Sequence, residues 1–173
     1  MRPSAIPPRP RQPDWRLCFV ADSEAAAGRD ILALIARAVA GGATLVQLRG
    51  KAWPDRLFLE RAVAAVKLLR PAGIPLIIND RADIARAATA AGVHLGQADL
   101  PVAAARAVLG RRFLIGVSAG SPTEAGAGEA AGADYIGVGP VFATRSKGDA
   151  GAPIGLEVIG RIRERTRLPI VAI

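Results

Sequence analysis

The chain is poor in the residues that carry the commonest metal and redox chemistry. Among its 173 residues there is one cysteine, Cys18, and one histidine, His94. A single cysteine excludes an internal disulfide, and one cysteine with one histidine excludes a zinc site built on the usual ligand sets. Cys18 lies in an apolar, strand-like run, so a buried thiol is expected. His94, between Val93 and Leu95, reads first as a hydrogen-bonded core residue and second as a catalytic base, and no Ser-His-Asp argument can be built on it.

Other shortages narrow the function further. Aromatic residues make up only 4% of the chain, which argues against base-stacking platforms for nucleic acid. The longest apolar runs are broken by Arg, Gly or Pro and none approaches the roughly 20 residues that span a bilayer, so no membrane association is expected. The N-terminal stretch MRPSAIPPRPRQPDWR has no apolar centre of the kind a secretory signal needs. It reads as a disordered tail over residues 1–16, and with the lone cysteine it makes the cytoplasm the expected location.

What is present describes one folded domain over residues 17–173. Hydrophobic residues are 51% and charged residues 22%, ample for a single core. The net charge is +8, to which the tail contributes Arg2, Arg9, Arg11 and Arg16 against Asp14. A basic body suits an anionic ligand, with nucleic acid as the competing reading of the same charge.

Strand-like runs alternate with helical stretches. The runs are Leu17 to Ala21, Thr44 to Leu48, Ile74 to Asn79, Gly92 to Leu95, Arg112 to Val117, Asp134 to Val138 and Leu168 to Ile173. Between them lie Asp30 to Ala40, Pro54 to Arg70, Arg81 to Ala91, Pro101 to Leu109, Pro122 to Ala131 and Gly155 to Thr166, all fitting amphipathic helices. Strict alternation means a parallel sheet, either doubly wound or closed as a barrel. A dinucleotide-binding sheet should carry GxGxxG after its first strand, but Leu17 to Ala21 runs into Asp22-Ser23-Glu24 with no glycine before Gly28. A (β/α)8 TIM barrel is therefore expected, incomplete here, with about seven strands and six helices.

In such barrels the active site lies at the C-terminal ends of the strands, and polar residues collect there: Asp22, then Gln47, Arg49 and Lys51, then Asn79 and Asp80, then His94, Gln97 and Asp99, then Ser118, then Thr144, Ser146 and Lys147. Gln47, Arg49 and Lys51 alternate and would share one side if the strand continued, which suits an anionic leaving group; the alternative is a solvated loop pairing with Asp55 or Glu60. Asp80 and Asp99, from neighbouring strand ends, could share Mg2+, or each could be a helix N-cap. Thr144, Ser146 and Lys147 follow Gly137 and Gly139, which allow close approach of a neighbour or ligand, and could grip a phosphate or simply form a solvated loop.

With these residues in view, the chain resembles the thiamine phosphate synthase family. QLRGK at 47–51, INDR at 78–81, GVHLGQADLP at 92–101, IGVS at 115–118 and GADYIGVGPVFATRSK at 132–147 match that family's blocks in order. The resemblance implies a TIM barrel that joins 4-amino-2-methyl-5-hydroxymethylpyrimidine diphosphate to thiazole phosphate, with release of pyrophosphate. It implies that Gln47, Arg49, Lys51, Asn79, Ser118, Thr144, Ser146 and Lys147 hold the pyrimidine diphosphate, that Arg49, Lys51 and Lys147 neutralise the leaving group, and that Asp80 and Asp99 hold Mg2+. The implied mechanism is dissociative, through a pyrimidine-stabilised carbocation trapped by the thiazole nitrogen.

Two relatives of that reading remain. The thiazole tautomerase of the same family uses a histidine near the block after strand 5, where this chain reads Ser118-Ala119-Gly120-Ser121. The sequence stops at Leu168 to Ile173, where the family continues with a glycine-rich loop and a last βα unit that bind the thiazole phosphate. The expectation is a chain lacking that unit, with strands 1 and 7 as unpaired edges, and an inactive or ligand-binding fragment is the alternative function.

Overall fold

The computed structural model describes residues 13–144 and 151–173. Its elements in order are β1 (Cys18–Asp22), α1 (Ser23–Ala26), α2 (Ile31–Ala40), β2 (Leu45–Arg49), α3 (Asp55–Leu69), a 3-10 turn at Arg70–Ala72, and β3 (Leu76–Asn79). There follow α4 (Ala82–Ala87), β4 (Gly92–Leu95), α5 (Val102–Leu109), β5 (Leu114–Ala119), α6 (Pro122–Ala130), β6 (Tyr135–Val138), α7 (Gly155–Arg165) and β7 (Ile170–Ala172).

The strands form one parallel sheet in chain order, from β1 to β7. A doubly wound sheet reverses its strand order at a switch point, and this sheet never does. Every crossover therefore turns the same way and the helices gather on one face, which is the expected barrel topology. Among the described residues β1 and β7 are the two edges.

Local sequence explains most of the elements. α2 starts because Asp30 Oδ1 accepts the Leu32 N–H at 3.0 Å, and it buries Ile31 and Ile35, one turn apart. α3 buries Phe58, Ala62, Ala65 and Leu69, a spacing of four, three and four that keeps one stripe on the sheet. At α6, Pro122 sets the first turn, Ser121 Oγ accepts the Glu124 N–H at 3.2 Å, and Glu124 Oε2 reaches back to the Gly120 N–H at 2.7 Å.

The sequence predicts six helices, and α1 is an addition. Four residues are too few to show a helical period. The turn forms because Asp22 Oδ1 accepts the Glu24 and Ala25 N–H groups at 2.7 and 3.2 Å. Strands β1, β2 and β5 also reach further than their apolar runs, to Asp22, Arg49 and Ala119. Parallel ladder bonds use the backbone alone, so pairing continues into the polar residues.

The sheet's two faces carry different cores. Val46, Leu48, Ile78, Val93, Ile115 and Ile136 pack under the helices, whereas Leu45, Ile77 and Leu114 form a smaller inner cluster with Trp15, Cys18 and Ala91. Trp15, counted with the tail from the sequence, stacks on Tyr135 with ring centroids 4.7 Å apart. Cys18 is half-buried rather than fully buried as expected, and that burial pushes its thiol up to about 11. The register stacks inward residues in tiers: Gln47, Ile77, Gly92 and Leu114 in one, Asn79, His94, Gly116 and Tyr135 above it, then Ser118 and Gly137.

Candidate active site

The first pair of strand ends carries a buried ion pair. Asp22 and Arg49 are register partners in β1 and β2. Arg49 Nη1 donates to Asp22 Oδ2 and, at 3.3 Å, to Glu24 Oε2. The Arg49 and Asp22 side chains are only 8% and 10% exposed. Burial works against the Arg49 charge, yet the bonds to Asp22 and Glu24 outweigh it and hold the guanidinium above its ordinary pKa.

Neither alternative partner named from the sequence reaches this strand end. Asp55 instead accepts from Arg81 Nη1 at 2.6 Å, and Glu60 pairs with Arg56 at 3.6 Å. Gln47 is buried two residues before Arg49 on the same inward side. Lys51 is exposed on the turn beyond Gly50, where the Trp53 N–H donates to the Gly50 carbonyl at 3.1 Å. A Cβ on Gly50 would stand 2.4 Å from the Trp53 ring, so glycine is what lets that ring fold across the turn.

Asp80 and Asp99 come together. Burial, a hydrogen bond with Asp99 and the charge of Asp99 raise the Asp80 carboxyl to about 6, while Lys51 and Arg49 pull it back down. Asp80 thus feels a second carboxylate and two cations at the same end of the barrel.

The capping alternatives for the two aspartates do not hold. Arg81 occupies the N-cap of α4 and Pro101 that of α5, neither with a side-chain cap bond. Asp99 Oδ2 instead accepts the Gly96 N–H at 2.6 Å, closing its own turn. Asp80 adopts φ 64°, a left-handed conformation uncommon for a residue with a side chain, and its N–H donates to the His94 carbonyl at 2.8 Å. The turn is held in place and directs the carboxylate away from helix capping.

Ser118 is reached from inside the barrel. His94 Nε2 lies 3.0 Å from Ser118 Oγ, and His94 Nδ1 lies 3.0 Å from the Tyr135 hydroxyl. Gln97 Nε2 donates to the Ser118 carbonyl at 2.5 Å. His94 is therefore a hydrogen-bonded interior residue, as the first reading had it. Asn79 is half-buried and lies beside His94 in the ladder. Thr144 is exposed, and Ser146 and Lys147 lie outside the described residues.

Glycines admit these rings. A Cβ on Gly116 would stand 2.0 Å from Tyr135 Cζ, and one on Gly137 would stand 2.6 Å from His94 Cε1. Gly139 makes room for the Ile173 carbonyl, 2.5 Å from its notional Cβ. The close approach expected from the glycines of β6 is thus to neighbouring side chain and backbone.

Glu24, Trp53 and Tyr135 were not singled out by sequence reasoning. Tyr135 had a usable signal: it is the only tyrosine, and it alternates with Gly137 on the inward face of β6. Glu24 had none beyond following Asp22. A cleft lined by Glu129, Arg163, Thr166 and Arg167 lies where α7 leads into β7, at the opposite end of the strands. That end of a barrel commonly serves stability, so the cleft is set apart from the site.

Residues 17–173 match the family model described as thiamine monophosphate synthase. The chain belongs to that family. It is similar to the thiamine-phosphate synthase of Moorella thermoacetica, 50% identical over 161 residues that make up 93% of this chain and 77% of the relative. A second such relative, from Chloroflexus aurantiacus, is 51% identical over 160 residues, 92% of this chain and 74% of its own. Among solved structures, the thiamine phosphate pyrophosphorylase of Pyrococcus furiosus superposes with a TM-score of 0.82 at 34% identity, covering 92% of this chain and 75% of that one. The family makes the chain a transferase of thiamine biosynthesis, as its sequence blocks implied. No helix among the described residues is long and apolar enough to cross a membrane.

Proposed function

We propose that the chain joins 4-amino-2-methyl-5-hydroxymethylpyrimidine diphosphate to thiazole phosphate, yielding thiamine phosphate and pyrophosphate in the cytoplasm. The observation that carries this reading is the Asp80 and Asp99 carboxylate pair with Arg49 and Lys51 beside it. A diphosphate needs positive charge, and a pair of crowded carboxylates needs a cation to relieve it.

Asp80 and Asp99 fit Mg2+. Both are hard oxygen donors, and the raised pKa of Asp80 reflects two negative groups in a partly buried space. Among the described residues no third metal-binding side chain joins them, which suits an ion that keeps water and takes substrate phosphate oxygens. When bound there, Mg2+ would supply neutralisation of the diphosphate.

The chain's own residues do the rest. Arg49, held by Asp22 and Glu24, offers its remaining N–H groups in a fixed plane suited to phosphate oxygens. Lys51 and Lys147 add positive charge, and Gln47, Asn79, Ser118, Thr144 and Ser146 supply neutral hydrogen bonds that orient the pyrimidine diphosphate. The bond between the pyrimidine methylene and the diphosphate oxygen breaks with its electron pair leaving on the oxygen, and the thiazole nitrogen captures the resulting cation. Each preorganised donor to the developing charge contributes roughly 3 kcal/mol. No general base is required, which agrees with both nitrogens of His94 being engaged inside the barrel.

The test is to supply both substrates and Mg2+ and separate the products. Equal amounts of thiamine phosphate and pyrophosphate are expected. Pyrophosphate without thiamine phosphate, or unchanged substrates, would overturn the proposal.

A further inference from the structure

We propose that Tyr135 and His94 are positioning residues that commit the Ser118 hydroxyl to donate its proton toward the substrate. This rests on the reading of Ser118 as a residue that holds the pyrimidine diphosphate.

A serine hydroxyl rotates freely and can donate or accept. An anionic ligand needs it to donate. Here the choice is made two residues away. The Tyr135 hydroxyl is buried and, among the described residues, its one hydrogen-bond partner is His94 Nδ1 at 3.0 Å. Burial raises the tyrosine pKa well above its ordinary value, so the phenol keeps its proton and has only Nδ1 to give it to.

An Nδ1 that accepts leaves the neutral imidazole's proton on Nε2. Nε2 stands 3.0 Å from Ser118 Oγ and so donates to it. The serine oxygen, occupied as an acceptor from inside the barrel, turns its own hydrogen the other way, toward the strand ends.

The frame around this relay is rigid. Trp15 stacks on Tyr135 from below, and the Tyr135 and His94 rings fill the spaces that Gly116 and Gly137 leave open. The register puts Tyr135, Gly116 and His94 in adjacent strands of one tier and Ser118 in the next tier up. Four inward positions of β4, β5 and β6 thus serve one hydroxyl.

Because His94 is the only histidine, its ring nitrogens can be read without assignment in protein labelled with 15N-histidine. The expected spectrum has a proton on Nε2 and a bare, accepting Nδ1; a proton on Nδ1 would overturn the relay. Tyr135→Phe removes the donor and keeps the ring. It is expected to weaken binding of the pyrimidine diphosphate about tenfold by calorimetry, with no further loss when combined with Ser118→Ala. Unchanged binding, or losses that simply add, would overturn the proposal. Should Tyr135→Phe fail to fold, His94→Gln, which can still donate toward Ser118, is expected to retain more affinity than His94→Leu, and equal affinities would count against the relay. If the unaltered protein shows the Nε2 proton yet does not bind the diphosphate, the reading of Ser118 fails rather than the hydrogen-bond chain, and the proposed role falls with it.

Discussion

Asp80 and Asp99 face each other from neighbouring strand ends, and burial together with that pairing lifts Asp80 to about 6. Its pKa when folded is above the ordinary 3.8, so the folded protein holds this proton more tightly than the unfolded chain does. In metal-free protein the contribution therefore favours folding at low pH and is lost as pH rises through about 6. Asp80→Asn is expected to raise the melting temperature of metal-free protein at neutral pH and to abolish the gain that added Mg2+ gives the unaltered chain. Thermal melts at about pH 5 and about pH 7, with and without Mg2+, check both halves.

The buried pair of Asp22 and Arg49 gives a different outcome. Removing one partner leaves a buried charge without its main counter-ion, at a cost on the order of 3 kcal/mol. Asp22→Ala is expected to destabilise the protein by about that much in urea and to raise the KM for the pyrimidine diphosphate more than it lowers kcat, because Arg49 loses its support while keeping its charge. A variant as stable as the parent would show that Asp22 does not hold Arg49.

Arg106 supplies the contrasting control. It binds the Asp134 carboxylate at 2.7 Å and the Phe113 carbonyl at 2.5 Å, at the N-terminal ends of β5 and β6. Arg106→Ala is expected to cost roughly 2 kcal/mol of stability and to leave substrate affinity unchanged where the protein remains folded. Loss of affinity at full folding would mean that the two ends of the barrel are coupled.

Two glycines separate packing from function. A Cβ on Gly137 would meet His94 at 2.6 Å, and one on Gly128 would meet Val117 Cγ2 at the same distance. Overpacking of this kind costs about 1–3 kcal/mol. Both Gly137→Ala and Gly128→Ala are expected to lower the melting temperature. Only Gly137→Ala is expected to weaken diphosphate binding, since it alone moves the ring that supports Ser118.

The barrel topology was legible because strict βα alternation leaves few topologies, and the absent glycine fingerprint removed the main competitor. Strand ends were less so: β1 and β2 run on through Asp22 and Arg49, where backbone pairing overrides the change from apolar to polar side chains. Asp80 and Asp99 were named together from neighbouring strand ends, and the structure brings them into contact. Their capping alternatives were sound from propensity alone; that of Asp80 lost to its left-handed turn, which no local pattern announces, and that of Asp99 to the turn it closes on Gly96. The partner of Arg49 was not legible for a related reason. Asp55 and Glu60 are nearer in sequence, but register places Asp22 directly beside it. Tyr135 looked like an ordinary strand residue, and only the Gly116 space opposite reveals why its ring points inward.

The most direct measurement is calorimetric titration of the protein with the pyrimidine diphosphate, with and without Mg2+, alongside a variant carrying both Asp80→Asn and Asp99→Asn. The account predicts binding that depends on Mg2+ in the unaltered chain and is weakened at least tenfold, with the Mg2+ dependence lost, in the variant. Binding that is equally tight without Mg2+, or that survives both substitutions, would contradict it.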